Sequence, residues 1–149
     1  MLIRTTRFGT VEIDEERVIT FEDGLLGFPQ RRRYALIQTN SDPVFFWLQS
    51  LDQPDLAFVV CDPQAFVPEY RAPIRPEEVK ALELQDLAEA QVLVIVNKVD
   101  GYLTANLLGP LAIGAQSLKG KQLVLSDKHY STRHRLMRVA PPTAVAKTA

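Results

Sequence analysis

The sequence predicts an all-β fold, a compact antiparallel β-barrel that is closed or partly open and carries one short capping helix. Short apolar runs recur along the chain with turn residues between them, a spacing typical of barrels and sandwiches. Asp100-Gly101 joins two such runs, and this pair favours a β-hairpin because both residues tolerate positive φ angles. The apolar run 92–96 (VLVIV) lacks alternation, which predicts a central strand covered on both faces.

The other predicted strands are delimited by turn formers. Spacers 39–43 (TNSDP) and 50–54 (SLDQP) each hold Asp, whose side chain bonds nearby backbone, and Pro, whose φ is fixed. In chain order, the predicted strands cover residues 2–3, 8–13, 18–21, 34–37, 44–48, 56–61, 92–99, 102–108, 110–113 and 122–125.

One helix is predicted from residue 76 to about residue 87, as a cap over an open barrel end. Pro76 suits the first helical position, and Glu77 and Glu78 suit the positive end of the helix dipole. The apolar side chains predicted to face the protein body are Val79, Leu82 and Leu87.

The chain is predicted to form a single domain over residues 1–138. Its 149 residues, 46% apolar and 23% charged, are typical of a globular domain. A chain of this size buries roughly 70% of its unfolded surface, so it needs no disulfide or metal to fold. Residues 139–149 contain Pro141-Pro142 and no periodicity, which predicts a disordered tail.

Charge and hydropathy predict a soluble cytoplasmic protein with no membrane contact. Arginines interrupt the first residues, where a secretory segment needs an apolar core, and no apolar run approaches the ~20 residues of a membrane span. Residues 1–70 hold 6 Lys and Arg against 11 Asp and Glu, while residues 71–149 hold 11 against 7. An acidic first half predicts no direct nucleic-acid binding. This polarity either guides docking to a basic protein or disappears when folding interleaves the charges.

The residue types indicate neither an enzyme nor a metal or cofactor site. Cys61, the sole cysteine, lies in an apolar run and is predicted to be a buried thiol. His129 and His134 lack the cluster that a shared metal requires, so surface positions are predicted for both. No serine lies in a nucleophile-elbow motif, and no glycine pattern matches a nucleotide-binding loop.

One alternative is an RNA-binding module built on the turn GLLG, with Gly24 and Gly27 at its ends. The spacing matches the loop with which KH domains hold nucleotides, and Arg31, Arg32 and Arg33 follow it. KH loops join two helices, however, whereas the predicted flank here is a strand. The other interpretation is a tight turn whose apolar residues, Leu25 and Phe28, fill the barrel, with solvated arginines after it.

The densest aromatic cluster, Phe45, Phe46 and Trp47, lies in a predicted strand. Alternation places Phe46 on the face opposite the other two rings, so one face packs on the core and the other is either covered or an exposed anchor for a partner. Gln49 and Ser50 follow with uncharged polar groups suited to a partner's backbone. The segment 66–70 (FVPEY) is a second candidate, in a predicted loop.

Six motifs in order resemble the flagellar assembly factor FliW family. They are FEDGLLGFP at 21–29, FFWLQS at 45–50 followed by AFVVCDP, FVPEY at 66–70, TANLLGPLAIG at 104–114, and QLVL at 122–125 with a later Tyr130. The resemblance covers residues 1 to about 136. Two departures are Leu26, where the family most often has Pro, and Glu69-Tyr70, where it has Asp-Tyr.

The resemblance implies a β-barrel without catalytic activity or cofactor that exchanges protein partners. It implies binding to the carbon storage regulator CsrA, an RNA-binding repressor of flagellin translation, at a site away from its RNA surface. It also implies binding to flagellin, which would release the repressor and couple flagellin translation to flagellum assembly. The motifs and the exposure argument nominate six partner-binding residues: Phe46, Leu48, Gln49, Ser50, Glu69 and Tyr70.

Overall fold

The computed structural model describes residues 1–39 and 43–139. These residues form one α-helix, α1 (Pro76–Ala81), and three 3₁₀ turns at Glu15–Arg17, Pro63–Ala65 and Leu87–Glu89. Their eleven strands are β1 (Leu2–Thr5), β2 (Gly9–Glu12), β3 (Ile19–Phe21), β4 (Arg33–Ile37), β5 (Phe45–Ser50), β6 (Ala57–Cys61), β7 (Ala90–Val99), β8 (Tyr102–Ala105), β9 (Leu111–Gly114), β10 (Lys119–Gln122) and β11 (His134–Arg138). Except for Val139, the predicted tail 139–149 lies outside the described residues.

Seven strands close into a barrel, as the sequence predicts. Their order is β7-β6-β5-β4-β3-β10-β9, and β9 pairs again with β7 to complete the ring. The closure depends on the ten-residue length of β7, whose first half pairs with β9 and whose second half pairs with β8. The seam between β3 and β10 is parallel, whereas every other pairing in the ring is antiparallel.

β10 covers residues 119–122, three residues before the strand predicted at 122–125, and it forms the parallel seam with β3. Gly120 pairs with Phe21 across this seam, and a Cβ on Gly120 would lie 2.5 Å from the Phe21 ring. Only glycine lets the two strands approach this closely without displacing the ring. The apolar pattern instead favoured the residues that follow this glycine.

The barrel interior and a second apolar layer lie on opposite faces of β7. Leu93 belongs to the interior cluster, with large side chains such as Phe21, Tyr34 and Leu48. Val94 belongs to the second cluster, under the segment 63–70 and the paired strands β8 and β11. The prediction that 92–96 forms a central strand covered on both faces is therefore confirmed.

The helix is shorter than predicted and ends at Ala81 instead of near residue 87. Leu82 is its C-cap, and Glu83 adopts φ +54°, a left-handed conformation that stops helical propagation. Val79 and Leu82 pack with Ala112, a residue of β9, so the helix covers the outer wall of the barrel at β9. Leu87 is 60% exposed, so its predicted contact with the body is wrong.

Four of the described strands, β1, β2, β8 and β11, lie outside the seven-strand ring. The β7–β8 hairpin turns at Asp100 and Gly101, whose φ angles of +51° and +79° confirm the predicted turn. β11, which the apolar pattern did not reveal, pairs with β8 and carries a bulge between Arg135 and Met137. β1 and β2 form a separate two-stranded sheet.

Candidate functional site

The six nominated residues fall into two regions, and four of them are buried. Leu48, Gln49 and Ser50 are each 0% exposed at the end of β5, and Tyr70 is 1% exposed. Phe46 is half-buried, and its side chain packs against the barrel interior cluster. Glu69 is exposed. The expectation that this set presents its side chains to solvent therefore holds only for Glu69 and part of Phe46.

Gln49 holds the loop that follows β5, residues 50–56, in one conformation. Its Nε2 donates to three backbone oxygens, those of Ser50 at 3.0 Å, Pro54 at 3.1 Å and Leu56 at 3.1 Å. The Ser50 hydroxyl accepts from the N–H groups of Asp52 and Gln53 at 3.1 and 2.9 Å. These buried amide and hydroxyl groups bind the chain's own backbone, so they are not available to a partner's backbone.

Asp52 joins the 50–56 loop to the arginine run before β4. It accepts from the backbone N–H groups of Arg32 and Arg33 and from the Arg33 guanidinium at 2.9 Å. Burial alone would raise the pKa of Asp52, but the hydrogen bonds from Arg33 and Arg32 and the positive charge of Arg33 hold that pKa below its usual range. The motifs did not nominate Asp52. The sequence did hold a signal for Asp52: an Asp in the turn after the predicted strand that became β5, and an Arg before the predicted strand that became β4.

Contacts with the 50–56 loop reduce the number of arginine side chains available for the predicted alternative, RNA binding at Gly24, Gly27 and Arg31 to Arg33. Arg31 donates to Gln53 Oε1 at 2.7 Å and Arg33 pairs with Asp52, so two of the three guanidinium groups are engaged within the protein.

The GLLG turn itself is packed against the barrel. Leu25 and Phe28 form an isolated β-bridge, Leu25 is 3% exposed, and the Phe28 ring lies 5.4 Å from that of Phe58. The Leu26 N–H, which a phosphate clamp would use, donates to Gln122 Oε1 at 2.8 Å. This geometry is that of the predicted tight turn with apolar residues in the barrel.

The second nominated region, the 66–70 loop, is held by aromatic contacts. The Phe66 ring stacks on Phe45 at 5.8 Å, and the Tyr70 ring lies 4.8 Å from that of Tyr130. The Tyr70 hydroxyl donates to the Leu107 carbonyl at 2.7 Å. Burial, together with Tyr130 and Asp127, raises the pKa of Tyr70, so the hydroxyl keeps its proton at neutral pH. The loop therefore presents Glu69 from a rigid base.

The aromatic cluster of β5 is partly covered on both of its faces. Phe45 packs with the outer apolar layer, while Phe46 packs with the interior. The Trp47 ring contacts Phe8 at 5.8 Å, and the Arg7 guanidinium lies 4.2 Å above it. The N-terminal hairpin β1–β2 thus supplies the cover on the Trp47 side.

The groups with metal-binding or nucleophilic chemistry are dispersed. Cys61 is 0% exposed, and burial raises the pKa of its thiol to about 12, as expected for a buried structural cysteine. Among the described residues, no three His, Cys, Asp or Glu side chains are placed to hold one metal ion. No helix in this part of the chain has the length and apolar content to cross a membrane.

Comparison with known proteins gives a consistent family. A family model described as "FliW protein" matches residues 2–136. The flagellar assembly factor FliW of Geotalea uraniireducens is 41% identical over 136 residues, covering 90% of this chain and 83% of that relative. The FliW of Treponema denticola is 40% identical over 139 residues, covering 92% and 94%. A crystal structure of the flagellar assembly factor FliW superimposes with a TM-score of 0.83 at 31% identity, covering 92% of this chain and 97% of that one.

Proposed function

The chain belongs to the FliW family of flagellar assembly factors, and we propose that it acts by binding two proteins in exchange, a CsrA-type translational repressor and flagellin, without catalysing a reaction. The observation that carries this proposal is the extent of the family match, residues 2–136, which spans every strand of the barrel. The proposed location is the cytoplasm, where the repressor controls translation.

The proposed mechanism is an exchange controlled by the concentration of free flagellin. When flagellin accumulates it occupies the protein, and the repressor is released to block further flagellin translation. When flagellin is exported, the vacated protein binds the repressor again, at a site away from its RNA surface. This cycle needs two mutually exclusive complexes and no cofactor.

Two of the six nominated residues are proposed to contact partners directly. Glu69 is exposed on the rigid 66–70 loop, and Phe46 is half-buried on β5. The buried members, Leu48, Gln49, Ser50 and Tyr70, would contribute by fixing the shape of the surface. A rigid surface favours affinity because little conformational entropy is lost on binding.

Pull-down with purified CsrA-type repressor and purified flagellin tests the proposal. The wild-type chain is expected to capture each protein, and excess flagellin is expected to displace the repressor. Glu69→Lys should weaken capture of at least one partner, while Glu77→Lys, an equal charge reversal at an exposed position of α1, should not. Failure to capture either protein would refute the proposed function.

The RNA-binding alternative predicts a different outcome in a filter-binding titration across salt concentrations. A phosphate-dependent binder loses RNA affinity steeply as salt rises, and Arg32→Ala would reduce that slope. Arg32 is the residue to test, since its two neighbours are engaged with the 50–56 loop. The partner-exchange proposal predicts no RNA retention and only weak salt dependence of protein capture.

A further inference from the structure

The two edges of β7 are not equally paired. On one edge, the first four residues, Ala90 to Leu93, pair with β9. On the other edge, the ladder with β6 ends at the Cys61–Val94 pair, so β7 continues for four residues beyond its neighbour. A strand end of this kind leaves backbone donors and acceptors open on one edge.

The hydrogen bonds of the paired edge identify which backbone groups are open. Ile95 and Glu89 accept from Asn106 and Ala115, so odd-numbered residues of β7 direct their backbone groups toward β8 and β9. Because direction alternates along an antiparallel strand, Ala90 and Val92 direct theirs to the opposite edge. The Ala90 N–H donates to the Leu87 carbonyl. The Ala90 carbonyl and both backbone groups of Val92 are therefore open.

Pro63 explains why β6 does not pair with these groups. Continuing the register of the β6–β7 ladder places Pro63 opposite Val92. Proline has no N–H to donate, and its carbonyl already accepts from Phe66 at 3.1 Å and Val67 at 2.8 Å. The chain therefore leaves the sheet in the Pro63–Ala65 turn.

A groove of about 830 Å³ lies along this open edge. Its opposite wall is residues 71–74, which run without secondary structure beside the barrel. The side chains of Ala72 and Ile74 pack into the body, and their N–H groups donate to no partner within residues 1–39 and 43–139. Both walls thus carry unpaired backbone groups, which is the chemistry that recognises another extended chain.

The charged groups of the groove favour a basic occupant. Asp62 and Glu89 line it together with one guanidinium, that of Arg71. The Arg71 side chain already donates to the Pro68 and Tyr70 carbonyls at 3.2 and 2.8 Å. The two carboxylates also accept from backbone N–H groups, those of Gln64 and Gln85, so the lining keeps one net negative charge, which favours a Lys or Arg on the bound segment.

We propose that this groove binds an extended segment of a protein partner, carrying a basic residue, as an added strand on the open edge of β7. The inference rests on the proposed function only in taking the occupant to be a protein. The open edge is four residues long, about 13 Å, so the segment in contact is short.

Residue-resolved amide hydrogen exchange tests the proposal in two stages. In the free chain, the Val92 amide should exchange much faster than the Gln91 amide, which is directed toward β9 on the same strand. Slow exchange at Val92 in the free chain would overturn the proposal, because that N–H would already have a partner. The second stage adds a capped hexapeptide of alternating valine and threonine with one central lysine, at millimolar concentration.

The lysine peptide should slow Val92 exchange by about tenfold or more and leave Gln91 unchanged. A matched peptide with glutamate in place of lysine should bind less tightly. Ala88→Trp, at an exposed position lining the groove, should abolish the effect, whereas Ala81→Trp, exposed on α1 outside the groove, should not. The proposal would be overturned if the lysine peptide did not slow exchange at Val92. It would also be overturned if the peptide slowed exchange only in β11, the end strand of the sheet.

The pull-down separates this proposal from the proposed function. If Ala88→Trp still captures repressor and flagellin and the wild-type chain does not bind the lysine peptide, strand addition is refuted and the proposed function stands. If the wild-type chain binds the lysine peptide but captures neither protein, the proposed function is refuted and strand addition stands.

Discussion

The 50–56 loop and the 66–70 loop carry the two nominated motifs, and the chain holds them in different ways. Polar groups hold the first, since Gln49, Ser50 and Asp52 bond directly to backbone. Aromatic packing over the outer apolar layer holds the second, together with the Tyr70 hydroxyl bond and side-chain donors from Gln64 and Arg71 at the surface. A motif can therefore owe its residues to loop shape as much as to contact with a partner. Four predictions test it, from the largest effect to the smallest.

The largest effect is expected beneath the 66–70 loop, at Leu107. Leu107 is 0% exposed in the apolar layer that supports Tyr70, so Leu107→Ala should lower the free energy of unfolding by about 2–5 kcal/mol in urea denaturation. Leu87→Ala, at a 60% exposed position, is the control and should change it by less than about 0.5 kcal/mol. Equal effects from the two variants would show that the apolar layer beneath the 66–70 loop does not stabilise the fold.

The next effect is expected at Gln49, on the polar side of the comparison. Gln49→Leu removes a donor from three backbone carbonyls, but the Pro54 carbonyl still accepts from the Thr6 N–H and the Leu56 carbonyl from the Ser50 N–H. The Ser50 carbonyl keeps no other donor among the described residues, and one buried acceptor left unpaired costs about 1–3 kcal/mol. The loss of Gln49 Oε1, which has no partner among the described residues, offsets part of that cost. The expected net loss in urea denaturation is about 2 kcal/mol. Gln85→Leu, at an exposed position, is the control and should leave the free energy of unfolding nearly unchanged. If Gln49→Leu also left it unchanged, the hydrogen bonds of Gln49 would not be what stabilises the 50–56 loop.

A smaller effect is expected from Tyr70→Phe, because it keeps the ring packing and removes only one hydrogen bond. The expected loss of unfolding free energy is about 1 kcal/mol, measured by thermal or urea denaturation. Tyr102→Phe is the matched control, since the Tyr102 hydroxyl donates to no group among the described residues. If Tyr70→Phe destabilised as much as Gln49→Leu, the hydroxyl and not the ring would hold the 66–70 loop.

The smallest effect, and the only one with a pH signature, is expected from Asp52→Asn. The folded protein lowers the pKa of Asp52, so the carboxylate stabilises the fold at pH values above the unfolded pKa of about 3.9. That contribution should disappear as the pH falls through the lowered folded pKa. The difference in unfolding free energy between wild type and Asp52→Asn should therefore shrink as the pH is lowered from about 5. A pH-independent difference would show that the charge of Asp52 does not hold the 50–56 loop.

Much of the architecture could be predicted because it follows from local chemistry. The turn at Asp100 and Gly101 requires positive φ at two adjacent residues, and the sequence supplies two that tolerate it. The uninterrupted apolar run in β7 and the lone cysteine in β6 both indicated burial. By contrast, β11 has a weak apolar pattern, because its bulge breaks the alternation on which strand prediction depends.

The candidate site was less predictable than the fold. Gln49 and Ser50 look the same in the sequence whether they bond a partner or their own loop, because an uncharged polar side chain at a strand end suits either role. Tyr70 presents the same ambiguity, since its hydroxyl and its ring can each face solvent or a core. Burial decided all three, and burial depends on chain segments far away in the sequence.

The β-rich class, the positions of most strands, the turn chemistry and the family motifs can all be read from the amino-acid sequence, because these depend on neighbouring residues. Three features became visible in the folded chain alone: the parallel β3–β10 seam, the inward orientation of Gln49 and Tyr70, and the open edge of β7. Each of these depends on how residues distant in the chain meet: Phe21 over Gly120, the Leu107 carbonyl at Tyr70, and Pro63 opposite Val92. Such encounters are fixed by barrel closure, which no local pattern encodes.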